Sequence, residues 1–591
     1  MCHFRHTLFS FALSLAALAA LAAVMLTYEW EYLFRIQEQS LFLDTPDFFF
    51  DAVTRPAGLL SWTGACLTQF LYHPWLGTLI LTACWALLMG LFCLTFKIPA
   101  RWSVVALIPV CTIAITIFHL GYWIFYLKMQ GYFFASTLGM AVAAGLLWTF
   151  RLLPHRMMIA PLFIVIAAFG GYPLFGCYAL AATVLTGIMA WRLQGLSTTQ
   201  RTTDTVLALL SAVAAPLCWY RLFHRTNIDD IWTAGIPAFE SAEASYTPYY
   251  MPYALLALWL VLGCAFYQRT WKPLHTKVEI AFKMTLLLCA CALTYINWYK
   301  DANFHRELHM YRAMEQQDWE TILTDYQKAE APTRLMWTMK NLALFRLGRQ
   351  GDEMYRYRFG NRRPAAPFEA HILQTGGKLL YLNYGQANFC HRWCVEDGVE
   401  FGWRVEYLKC MATSMLMNGE QQAAEKYLGI LRHTRYYQAW APPTPQQLNL
   451  MRRLMPETDQ LTNDNMLAEA FLLNHFATRD SDDPLVQEAA LMFALQTCNK
   501  EVFLQRLDRY RKLQPGKTLP LHCQEALCVY NMTDSIPVGP DISQHYEQFM
   551  QTASQCRGMS LEQVKPLMRE RFGDTFFFDY YFNNYQQPEG R

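Results

Sequence analysis

Residues 75–96, WLGTLILTACWALLMGLFCLTF, form an apolar run without a single charged side chain. At about 1.5 Å of rise per residue, a helix of this length crosses a hydrocarbon core of about 30 Å. Comparable runs lie on either side of it, at 7–27, 102–120, 132–150, 157–169, 174–191, 205–220, 251–267 and 280–299. After residue 300 they all but cease. The pattern predicts an all-α chain with a polytopic membrane domain of about nine spans over 1–300, followed by a water-soluble domain over 301–591. Composition agrees, since 54% hydrophobic residues against 16% charged leaves too little polar surface to cover a soluble chain of this size.

Two segments set the span count. Residues 157–191 as one helix would be far longer than the bilayer needs, and Gly170-Gly171-Tyr172-Pro173 interrupts them, so a hairpin of two short spans is predicted. Residues 59–72 are too short to cross before His73-Pro74 and read as an interfacial or re-entrant helix. The first run follows Arg5 and contains the small-residue pattern Ala17-Leu18-Ala19 of a signal peptide. Its length, and the spans after it, favour an uncleaved anchor.

Charge orients the whole. On one set of connections lie Arg5, Lys97, Arg101, Arg151, Arg156, Arg192, Arg201, Arg269, Lys272 and Lys277. The other receives Glu29, Glu31, Glu38, Asp44, Asp47, Asp51, Asp229, Asp230, Glu240 and Glu243, with fewer bases. The positive-inside rule then puts the N-terminus in the cytoplasm and, after an odd number of spans, the C-terminal domain across the membrane. Net charge is only +2, and no basic stripe with interleaved aromatics occurs, so nucleic-acid binding is not expected.

The soluble half has amphipathic helical spacing. Trp319, Ile322, Leu323 and Tyr326 recur on one face after the N-cap candidate Asp318, and a second helix is predicted to end near Gly348. Residues 405–416 and a following helix carrying Ala424, Tyr427 and Leu431 are joined at Gly419, in the manner of a tetratricopeptide-type hairpin. No fixed period runs through 301–591, so the expectation is helical-repeat-like, with binding of a partner as its default role. Tyr381, Tyr384, Phe389, Trp393, Phe401 and Trp403 read first as core aromatics and second as a groove for sugars or peptides. The aromatic tail 576–585 is expected to dock as a last helix.

The 17 cysteines are scattered and form no disulfide framework. Cys390 and Cys394 fall one helical turn apart, and Cys523 and Cys528 make a second close pair, with His391 and His522 adjacent. Packed thiols are the first reading, and a metal or a local disulfide the second; neither spacing is that of a zinc knuckle, so no metal ligand is assigned. The chain has no Gly-rich phosphate loop, no His-Glu-x-x-His and no Gly-x-Ser-x-Gly. Among the spans, His119 and Lys283 are the main ionisable residues, which disfavours a proton-coupled transporter.

Chemistry is most plausible in the acidic, aromatic-rich first outer loop, 28–58. Glu29 and Glu31 directly after the first span resemble the first outer loop of type C glycosyltransferases, whose catalytic acid precedes interfacial helices. That resemblance implies one of them as general base or as ligand to a divalent metal, with a lipid-linked sugar as donor. The bland alternative makes both residues interfacial charges, and Asp229 and Asp230 invite the same two readings.

A second resemblance covers nearly the whole chain. Glu38-Gln39-Ser40-Leu41-Phe42, Pro56-Ala57-Gly58-Leu59, Gln69-Phe70, Pro74-Trp75-Leu76-Gly77, Gly171-Tyr172-Pro173 and Phe572-Gly573-Asp574-Thr575 resemble an uncharacterised bacterial family of multi-pass inner-membrane proteins with a tetratricopeptide-like C-terminal region. Ala57 stands where that pattern expects glycine. The resemblance implies fold and location and carries no catalytic residues. The leading expectation is therefore an inner-membrane protein that binds or scaffolds envelope components, with the bilayer and an envelope protein or lipid-linked glycan as partners. The glycosyltransferase, with Glu29 or Glu31 as its catalytic residue, is the alternative.

Overall fold

The computed structural model describes residues 2–154, 158–239, 247–267, 275–456 and 461–583. Arg156, Met157, Glu240, Glu243, Arg269, Lys272 and Tyr585 of the sequence reading lie outside the described residues, as does the side chain of Arg5. The described residues are helical throughout, with one isolated bridge between Thr333 and Arg362 as the sole extended pairing. They form two compact units. The first comprises Met1–Lys300 together with Gly398–Glu406 and Gly429–Trp440, and the second Asp301–Asp397, Tyr407–Leu428 and Ala441–Arg591.

The helices of the first unit are α1 (Cys2–Thr27), α2 (Trp30–Glu38), α3 (Pro46–Val53), α4 (Gly58–Thr68), α5 (Pro74–Phe96), α6 (Leu107–Phe118), α7 (Tyr132–Leu152), α8 (Ile159–Phe169), α9 (Gly171–Phe175), α10 (Cys177–Ala190), α11 (Thr198–Phe223), α12 (Thr247–Ala265) and α13 (Thr276–Asn297). Among the described residues, seven stretches are long and apolar enough to cross a membrane: α1 from Thr7, α5, the 3-10 turn plus α6 over Ala100–Phe118, α7, α11, α12 and α13. The hairpin predicted over 157–191 is present as α8, α9 and α10, and its two longer arms have 11 and 14 residues, fewer than a full crossing requires. Residues 59–72 form α4 and a 3-10 turn, Gln69–Tyr72.

Local chemistry sets the helix ends. Pro74 begins α5 where its missing N–H costs nothing, and Ser197 with Gln200 closes a reciprocal capping box on α11. Ala57 enters α4 with φ +60°, a left-handed conformation that an L side chain resists and glycine adopts freely. This explains why glycine is the expected residue there. Gly131, at φ +68°, starts α7 against the backbone of α4, and a Cβ on it would lie 2.2 Å from Ala65 N. One buried charge inside the candidate spans is neutralised by neighbours: Glu279 of α13 pairs with Arg101 and, at 2.6 Å, with the buried Lys283.

The second unit contains α14 (Ala302–Glu315), α15 (Trp319–Gln327), α16 (Arg334–Arg346), α17 (Gln350–Glu353), α18 (Lys378–Asn383), α19 (Ala387–Phe401), α20 (Val405–Met417), α21 (Gln421–Arg432), α22 (Pro445–Arg453), α23 (Ala468–Thr478), α24 (Pro484–Gln496), α25 (Lys500–Leu513), α26 (Leu521–Val529), α27 (Pro540–Gln555), α28 (Leu561–Phe572) and α29 (Phe576–Phe582). Parts of α19, α20 and α21 belong to the first unit. Asp318 caps α15 by accepting from Thr321 N at 3.2 Å, and Gly419, at φ +81°, turns the chain between α20 and α21. Tyr381, Tyr384, Phe389 and Trp393 are core residues. The Tyr381 hydroxyl and the Trp393 indole N–H both donate to the buried Asp464, at 2.8 and 2.5 Å. The last helix docks on its own unit, with Phe576, Phe577 and Phe578 buried.

Candidate functional site

The segment that follows α1 turns one face of α2 inward. α2 is amphipathic in an unusual sense, because its buried face carries Arg35, Gln37 and Glu38 beside Tyr32, Leu33 and Ile36. Dry polar groups must find partners. Arg35 meets Glu406 at 2.9 Å and Glu38 at 3.5 Å, all three side chains being no more than 5% exposed. Gln37 donates to Gln69 Oε1 at 3.0 Å and accepts from the Tyr437 hydroxyl at 2.6 Å, while Gln69 donates to the Ser40 carbonyl at 2.7 Å. Arg404, also buried, donates to the Phe125 carbonyl at 2.9 Å. Thus Arg404, Glu406 and Tyr437, supplied from beyond residue 397, complete the first unit's polar interior.

Glu29 precedes α2 and is only 3% exposed. Its Oε1 accepts a 2.6 Å hydrogen bond from the Trp298 indole, which itself stacks on Phe118 with ring centroids 4.3 Å apart. Glu31, in the first turn of α2, is half-buried. Asp44, Asp47 and Asp51 face solvent, and Asp51 pairs with Arg55 at 2.9 Å and with Arg225 at 3.4 Å. Asp229 and Asp230 lie in a surface 3-10 turn, Ile228–Asp230. No three of these carboxylates converge as metal ligands among the described residues, where the one such group is Cys390, Cys394 and Cys410.

Beside Glu29 runs an apolar crevice of about 540 Å³. Ala17, Ala20, Leu21 and Val24 of α1 line one wall and Cys111 of α6 with Cys291, Thr294 and Tyr295 of α13 the other, and it ends at Tyr28, Trp298 and Lys300. The polar end is built by local bonds: the Tyr28 hydroxyl donates to the Lys300 carbonyl at 3.3 Å, and the Lys300 ammonium lies 3.9 Å from the Tyr295 ring centroid. The arrangement joins a hydrocarbon-lined slot to the Lys300 side chain, and the Glu29 carboxylate holds the lining Trp298 from behind.

A family model described as a family of unknown function, DUF6057, matches residues 5–583. The chain belongs to this family. No curated protein and no solved structure matches it. The DUF6057 match runs across both units, as the resemblance to an uncharacterised family read from the short motifs implied. Within it, Glu29 was visible to sequence reading as a carboxylate at the end of a span. Arg35, Glu406, Trp298 and Cys410 were not, because each acquires its role from a residue distant in the chain. Cys523 and Cys528 are free thiols on α26 with no third ligand beside them among the described residues.

Proposed function

We propose that this is a bacterial inner-membrane protein that binds an amphiphilic envelope component, a lipid with an anionic head, in the crevice between α1, α6 and α13. The single observation that carries this is the apolar slot ending at Lys300, since hydrocarbon would occupy the walls and the ammonium would meet the head group. In this reading the chain makes about nine spans, α8 and α10 serving as a short hairpin, with its N-terminus cytoplasmic. The region after residue 300 is periplasmic and acts as a helical-repeat-like scaffold for envelope partners. The excess of Lys and Arg on alternate connections supports that orientation.

The test uses the full chain purified in mild detergent, with co-purified lipid measured by native mass spectrometry. Ala20→Trp fills the slot and Lys300→Glu reverses the charge at its end. Both should lose a retained anionic lipid; retention in both would refute the reading. A periplasm-active reporter fused after Lys300 checks the orientation, and activity confined to the cytosol would overturn it.

A second reading is favoured by one contact, the Glu29–Trp298 hydrogen bond at the polar end of the slot. A glycosyltransferase drawing on a lipid-linked sugar would use Glu29 as general base, with Glu31 on the adjoining turn as the other candidate. Glu29→Gln and Glu31→Gln should then abolish consumption of the lipid-linked sugar. Unchanged turnover in both variants removes the enzyme.

A further inference from the structure

The helical hairpin of α19 and α20 places four small polar side chains in one dry pocket of the second unit. Cys390 and Cys394 lie one turn apart on α19, and Cys410 and Ser414 one turn apart on α20, so each helix offers an i,i+4 pair to the other. The three sulfurs lie within 4.8 Å of one another, and Cys390, Cys394 and Ser414 have no exposed surface at all. Three sulfurs bound to one ion at about 2.3 Å each would sit roughly 3.8–4.0 Å apart, so closing on a metal needs movements of under about 1 Å.

Packing alone does not account for the pocket. Buried thiols usually sit among apolar side chains as small hydrophobes. Here the Ser414 hydroxyl, wholly buried, has no partner besides the Cys390 thiol among the described residues. The buried Lys378 is close by, held in an ion pair with Asp397, and donates to the Leu373 carbonyl at 3.1 Å across the π-helical turn Leu373–Gly377. The Cys390 thiol is hydrogen-bonded with Cys394, Cys410 and Ser414. The three thiols yield their protons as metal–sulfur bonds form, since a metal binds thiolate sulfur.

We propose that Cys390, Cys394 and Cys410 form a trithiolate site for a single thiophilic closed-shell metal ion, with the Ser414 hydroxyl available as a fourth donor. Binding releases the thiol protons to solvent, leaves three metal–sulfur bonds and involves no change of oxidation state. Two ions share this chemistry. Zn²⁺ takes four ligands and would recruit Ser414, whereas Cu⁺ is satisfied by three sulfurs. The site is closed to solvent, so the ion is structural and enters as the hairpin forms.

The full chain, purified in detergent under anaerobic reducing conditions, is titrated with Zn²⁺ and separately with Cu⁺, and bound metal is counted after gel filtration. One ion per chain is expected, lost in Cys390→Ala, Cys394→Ala and Cys410→Ala. Replacing Zn²⁺ with Co²⁺ should give intense sulfur-to-cobalt charge-transfer absorption. Ser414→Ala distinguishes the ions, since weakened Zn²⁺ binding with unchanged Cu⁺ binding assigns the fourth donor. Should a cysteine variant fail to fold, the Co²⁺ spectrum and the ultraviolet thiolate-to-copper absorption of the unaltered chain decide the Zn²⁺ and Cu⁺ arms, and the absence of both overturns the proposal. Neither ion bound above the level of the triple alanine variant, or a disulfide between two of the three cysteines in protein alkylated within intact cells, overturns the proposal.

Discussion

Replacing Arg35 with leucine strips one guanidinium from two carboxylates that have no access to water. Arg35, Glu38 and Glu406 are 4%, 2% and 5% exposed at their side chains, and the guanidinium holds Glu406 at 2.9 Å and Glu38 at 3.5 Å. Breaking a buried ion pair by removing one partner costs about 3–5 kcal/mol, because the remaining charge loses that counter-ion where no solvent can replace it. The Arg55–Asp51 pair has the same 2.9 Å separation at 64% and 57% exposure, and removing Arg55 should cost no more than about 1 kcal/mol. Denaturant unfolding of the full chain in mild detergent, followed by tryptophan fluorescence, compares Arg35→Leu with Arg55→Ala directly. Converting Arg35, Glu38 and Glu406 together to leucine should recover most of the loss, since apolar residues of similar volume carry no desolvation penalty. A midpoint for Arg35→Leu no lower than that of Arg55→Ala would refute the claim that this centre is dry.

Other outcomes can be checked in the same way. Ala57→Gly should stabilise the chain by up to about 1 kcal/mol by relieving the left-handed backbone at φ +60°, read as a raised unfolding midpoint. Gly131→Ala should destabilise it by at least about 1 kcal/mol, because the new Cβ would meet Ala65 N at 2.2 Å in a conformation that already disfavours it. His475 is packed between Phe471 and Phe476, and burial, followed by the Arg479 charge, lowers its pKa from 6.5 to about 4. The unfolded chain therefore binds this proton first, so the stability contributed above pH 6.5 is lost as the pH falls toward 4. His475→Phe should flatten that acid limb in a pH series of unfolding midpoints, and an unchanged limb would show that the imidazole is hydrated.

The apolar helices were legible because lipid imposes a local requirement: every backbone group must be satisfied within the helix, and some twenty successive side chains must be apolar. That requirement is met residue by residue, so 75–96 declares itself without reference to anything else. Helix punctuation was legible for the same reason, since Asp318 caps its own helix and Gly419 turns its own chain. The 157–191 hairpin was legible as an interruption at Gly170-Gly171 but not as arms of 11 and 14 residues.

What only the tertiary structure decided is which polar groups share a dry interior. Tyr437 meets Gln37 across 400 residues of chain, and Glu406 reaches Arg35 from a stretch that periodicity assigns to a different domain. Cys394 and Cys410 lie on different helices, and no spacing rule links them until α19 and α20 pack. Hydrophobic patterning records only whether a residue is to be buried; the partner that makes burial of a charge or a thiol tolerable is chosen by packing, at a distance the local sequence does not encode.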